Sequence, residues 1–152
     1  MKLLLARVLA LGLLGLPLLV PAVVSAQTPP GPGGPARQPI EAGTPQEMAN
    51  AQLVIKYFNM VFTAHQTARA FALYTSADFV EHHTFIGATH PATKQEAIDT
   101  LNGEFKRDPS HVLSAVHVVA QGDLVSVHSA AAGGDIDIFR VKDGKIVEHW
   151  DG

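Results

Sequence analysis

An α+β domain is predicted for residues 46–152, with helices gathered first and a sheet formed last. Two patterns predict it. Apolar residues recur at three- and four-residue intervals as far as Phe105, and from residue 111 onward β-branched runs are separated by two-residue turn signals. Helices followed by consecutive hairpins pack on one face of a curved antiparallel sheet, and together they can enclose a cone with one open mouth. The chain of 152 residues has room for one such domain with attachments.

The attachments come first. Residues 1–26, MKLLLARVLALGLLGLPLLVPAVVSA, begin with Lys2 and Arg7 and run through an apolar stretch broken by Pro17 and Pro21. They end on Val24-Ser25-Ala26, small residues of the kind a signal peptidase reads. A cleavable signal peptide is expected, cut after Ala26. The two prolines shorten the helical run below the ~20 residues a membrane span wants, so no stable membrane insertion is expected after cleavage. Such a leader implies a secreted or periplasmic protein. Residues 27–45 carry six prolines and four glycines with one branched apolar residue, which reads as a disordered linker.

Thr44-Pro45-Gln46-Glu47 starts the first helix, with a capping hydroxyl, a proline at the first helical position and a glutamate three residues after the cap. Its apolar face, Ala51, Val54, Ile55, Phe58, Val61 and Phe62, runs to about His65. A second short helix is expected over 67–74. Thr93-Lys94-Gln95-Glu96 repeats the capping signal before Ala97, Ile98, Leu101 and Phe105, and Asp108-Pro109 stops that third helix. Four strands follow in HVLSAVHVVA, DLVSVHSAA, DIDIFRVK and KIVEHWD, joined at Gln121-Gly122, Gly133-Gly134 and Asp143-Gly144.

Composition narrows the chemistry. Eleven basic residues against fourteen acidic ones give −3, and aromatics are 7%, so neither a basic footprint nor a base-stacking surface for nucleic acid is present. The absence of cysteine excludes disulfides, thiolate zinc sites and thiol nucleophiles. All eight histidines, His65, His82, His83, His90, His111, His117, His128 and His149, lie after residue 64. None forms a His-x-His or His-x3-His pair, and no metal site is expected.

The two-residue period tells which side chains share a face. His149 and Asp151 go with Val147; Asp135, Asp137, Phe139 and Val141 go together; His128 goes with Leu124 and Ser126. Which face is the cavity stays open at this level. With Asp143-Gly144 as the turn, Asp137 falls on a row near Trp150 unless a bulge shifts the register.

Four segments, YFNMVF, FVEHHTF, GDLVSVHS and the closing DIFRVKDGKIVEHWD, together resemble the SnoaL-like polyketide-cyclase branch of the nuclear transport factor two-like superfamily, over essentially all of residues 46–152. The resemblance implies a cone of helices against a curved sheet with a deep pocket. It also implies aldol-type ring closure without metal or organic cofactor, with an aspartate as acid and base. By the match of the final motif that aspartate is Asp151. The family's partner histidine on the preceding strand corresponds here to Asp137, a departure from the pattern. The histidine of the family's turn corresponds to His82, a candidate donor to a developing enolate oxygen. The substrate-binding candidates are His128, Asp137, His149, Tyr57, Tyr74 and Phe139.

The expected function is cofactor-independent acid/base chemistry, namely aldol-type cyclisation, isomerisation or dehydration, on a small apolar carbonyl or cyclic compound. The alternative is a noncatalytic small-molecule-binding module of the same fold. A homodimer through the open sheet face is compatible with both.

Overall fold

Two threonines begin the two longest helices. The computed structural model describes residues 39–83, 91–130 and 135–151. The expected signal peptide, linker residues 27–38, His90 and the Gly133-Gly134 turn lie outside them. Helix α1, Pro45–Phe58, is capped by Thr44, whose hydroxyl accepts from the Glu47 N–H at 3.2 Å. Helix α3, Lys94–Arg107, carries a full capping box in which Thr93 and Glu96 satisfy each other's backbone N–H. Helix α2 is Thr67–Tyr74. The first helix does not run unbroken to His65: after Phe58 it widens into a π-helical turn, Asn59–Thr63, and His65 closes it at φ 50°. Among the described residues no helix is long and apolar enough to cross a membrane.

The strands are β1 Ile40–Ala42, β2 Thr75–Glu81, β3 Ala92–Thr93, β4 Ala115–Gln121, β5 Leu124–Ser129, β6 Ile136–Lys142 and β7 Lys145–Asp151. They form one sheet in the order β1-β4-β5-β6-β7-β2-β3. The antiparallel meander of the last four strands is as expected. At the β6–β7 turn Asp143 and Gly144 both take positive φ, 51° and 71°, the conformation a two-residue hairpin of this twist requires.

Three strands extend the meander. β1 runs parallel to β4 and β2 parallel to β7, so the sheet is mixed rather than wholly antiparallel. β1 also corrects the domain boundary at 46: Ile40–Ala42 lie in the segment read as linker, yet they hydrogen-bond alongside Val118–Ala120.

One face of the sheet is buried beneath the helices. Val118, Val125, Val127, Phe139, Val141 and Ile146 meet Val54, Phe58, Val61 and Phe71 in a single core. Tyr57 packs edge-on against Phe71 at 5.3 Å and Phe139 at 5.7 Å, and Phe71 packs edge-on against Phe79, which ties α1, α2, β2 and β6 together. Leu124, Ile136 and Ile138 stand exposed on the opposite face.

A bulge near the turn sets the register of the last hairpin. Val141 pairs with Ile146, but Arg140 pairs with Glu148, so Val147 is the extra residue. From there Phe139 faces His149 and Asp137 faces Asp151. The regular register would have placed Asp137 opposite Trp150 and left Val147 beside His149 on the inner face; in the structure Ile146 takes that inner place.

Candidate acid/base site

Rows of cross-strand neighbours build the site. Glu81 on β2, His149 on β7 and Phe139 on β6 occupy one row, and Asp151 and Asp137 occupy the next. The His149 imidazole lies nearly flat on the Phe139 ring, with centroids 4.5 Å apart and 18° between planes. Its Nδ1–H donates to both Glu81 carboxylate oxygens, at 2.9 and 2.8 Å, and its Nε2–H reaches diagonally to Asp137 Oδ1 at 3.1 Å. Glu81, Asp137 and His149 are 2%, 4% and 8% exposed.

Burial alone would push the His149 pKa down, but the hydrogen bonds and charges of Asp137 and Glu81 overturn that and hold it at about 9. It is therefore an imidazolium clasped between two buried carboxylates. Asp137 keeps one oxygen, Oδ2, buried and without a hydrogen bond among the described residues.

Asp151, half-buried at the end of β7, is paired with His83 Nδ1. Burial raises its pKa, and Asp137 across the strands adds to the rise, against the charges of His149 and His83 that lower it. The His83 N–H also donates to Glu81 Oε1 at 3.0 Å, which links the two rows.

These groups open into a cavity of about 190 Å³. Tyr57, Phe62, Leu101, Leu113 and Phe139 form its apolar walls, and Glu81, His83, Asp137, His149 and Asp151 gather on it, with Glu104, His111 and Asp135 also in the lining. An apolar cavity of roughly 150 Å³ takes up benzene, so this one suits a single ring or a short carbonyl compound. Burial together with the Glu81 and Asp137 charges raises the Tyr57 pKa well above the ordinary tyrosine value. Its hydroxyl therefore keeps its proton and stays a donor.

Five of the residues singled out in the sequence converge here: Asp151, Asp137, His149, Tyr57 and Phe139. Three do not. His82 points to the other side of the sheet, because Glu81 is inward and side chains alternate. There it stacks on Trp150 at 4.7 Å and pairs with Glu148 at 3.1 Å. His83, one residue on, takes the cavity place expected of His82. His128 is exposed, since Val125 and Val127 supply the buried face of β5. Tyr74 packs half-buried against the core without lining the cavity. Glu81 and His83 are the site residues that sequence reasoning missed. Asp137, His149 and Asp151 each present a ligand atom, all within 4.8 Å of one another, a grouping across strands that His-x-His and His-x3-His spacing does not reveal.

Solved structures share this architecture. A candidate SnoaL-like polyketide cyclase from Jannaschia superposes with a TM-score of 0.62 at 17% identity, covering 74% of this chain and 90% of that one. A candidate polyketide cyclase from Bacillus cereus gives 0.61 at 18% identity, covering 78% and 85%. The chain has the SnoaL-like, nuclear transport factor two-like fold. A candidate ketosteroid isomerase from Kribbella flavida shares the SnoaL-like fold more distantly, at 0.54 and 15% identity over 70% and 78%. No protein-family model and no curated protein sequence matches the chain. At these identities the likeness is one of fold.

Proposed function

We propose that the SnoaL-like cavity binds a small apolar carbonyl or cyclic compound and moves a proton at the carbon next to its carbonyl, with Asp151 as the acid and base. The observation that carries this is the placement of Asp151, with its pKa raised by burial, at the same small cavity as Tyr57. A carboxylate with a raised pKa can both take such a proton and return it near neutral pH. Tyr57 donates to the carbonyl oxygen as it becomes an enolate, in the manner of an oxyanion hole. The His83 side chain holds Asp151 in place. His149 has both N–H groups engaged, so it balances the charge of Glu81 and Asp137 and touches no substrate. Cyclisation by aldol addition, double-bond isomerisation and dehydration all begin with this proton transfer, and the neighbours named as cyclases and isomerase support that class.

Hydrogen–deuterium exchange into simple cyclic ketones in D2O, followed by NMR with chelator present, tests the reading. The wild type is expected to accelerate exchange, Asp151→Asn to lose about a hundredfold or more, and Tyr57→Phe to lose a large part. Exchange that Asp151→Asn leaves intact would move the base elsewhere. Ketones that bind without exchanging would favour the binding-module alternative.

Export is part of the proposal, supported by the residues of 1–26 alone. Expressed with its leader, the protein is expected outside the cytoplasm with Gln27 as its N-terminus; N-terminal sequencing that finds Met1 retained would reject it.

A further inference from the structure

We infer that Asp137, His149 and Asp151 form a binding site for one divalent transition-metal cation of the zinc type. Each offers one ligand atom, and the three atoms lie within 4.8 Å of one another. Bonds of 2.0–2.2 Å place neighbouring donors on a tetrahedral ion about 3.4 Å apart. His149 Nε2 and Asp137 Oδ1 stand 3.1 Å apart across a hydrogen bond; the ion takes the place of the Nε2 proton, which is released to solvent, and closing all three donors onto it takes side-chain movements on the order of an ångström.

Two features separate this cluster from a chance gathering of acids. The first is Asp137 Oδ2, in a residue only 4% exposed: it is buried and has no hydrogen-bond partner among the described residues. A carboxylate oxygen stripped of water and left without a donor is costly, and a bound cation satisfies it. The second is Glu81. It grips His149 Nδ1 with both oxygens, at 2.9 and 2.8 Å, which fixes the ring and directs Nε2 at Asp137 and the cavity. A carboxylate behind the far nitrogen of a histidine is the arrangement that orients and strengthens an imidazole as a metal ligand.

The donor set selects the ion. One imidazole nitrogen with two carboxylates suits borderline first-row divalent cations, whereas magnesium and calcium prefer oxygen ligands alone. The inference does not depend on the acid/base reading, since binding is measured without substrate. Where both hold, an ion drawing on Asp151 occupies the base, and zinc inhibits the exchange reaction.

Isothermal titration of the chelator-treated full chain with zinc chloride is the test. One zinc per chain is expected, with magnesium giving no saturable heat. Asp137→Asn and Asp151→Asn should each weaken binding tenfold or more, and Glu81→Gln by about tenfold, with folding checked by circular dichroism. Asp151→Asn, at a half-buried strand end, keeps the test open if a buried substitution unfolds the chain. His117→Ala, on the surface, should bind as the wild type does. Absence of saturable zinc binding in the wild type, or Asp137→Asn and Asp151→Asn titrating like it, would overturn the assignment.

Discussion

Replacing His149 with alanine is expected to lower the unfolding free energy by about 3–5 kcal/mol at pH 7, because it leaves Glu81 and Asp137 buried with no counter-charge between them. The loss should depend on pH in a definite direction. The folded imidazole holds its proton up to about pH 9, whereas a free histidine releases it near 6.5. Stabilisation from the clasped imidazolium is thus fully present below pH 6.5 and is lost as pH rises to about 9. One pKa unit corresponds to about 1.4 kcal/mol, so the wild type should lose on the order of 3 kcal/mol across that window. The His149→Ala protein has no such proton to lose, and the gap between the two should narrow as pH rises. Urea unfolding with chelator at pH 6, 7.5 and 9 measures it. A gap that stays constant would mean that His149 is neutral in the fold and that its burial, not its charge, matters.

The parts of this site differ in how visible they were in the sequence. Helix starts at Thr44 and Thr93 depend on residues three apart, and the Asp143-Gly144 turn on two neighbours, so local chemistry sufficed. β1 and β2 were hidden because their main pairings are parallel and join residues far apart: Ile40 with Val118, Glu81 with His149. A charged residue such as Glu81 at an inward position also breaks the polar–apolar alternation that marks a strand. Its signal was nonetheless available. With Phe79 inward, the two-residue period puts Glu81 and His83 on the same side and His82 on the other. His128 carried a similar clue in Val125 and Val127, the apolar face opposite to it. The Val147 bulge had no local mark, and it is what sets Asp137 opposite Asp151. The resemblance located Asp151 and Asp137; only the backbone register brought them together.

Phe139→Ala should cost about 3–5 kcal/mol in the same urea experiment, whereas Ile138→Ala, one residue away, should cost about 1 kcal/mol or less. Phe139 is 1% exposed, lies under the edge of Tyr57 and stacks on His149, while Ile138 faces out at 38% exposure. The contrast tests the β6 register, since a slip of one residue would exchange the two costs. A second consequence links the ring to the charges. Removing Phe139 opens the apolar side of the imidazolium, and water entering beside it screens Glu81 and Asp137. The fall in stability between pH 6.5 and 9 should therefore be shallower in Phe139→Ala than in the wild type. An undiminished pH slope alongside the full stability loss would show that Phe139 only fills the core, and that Glu81 and Asp137 hold the His149 proton without its shielding.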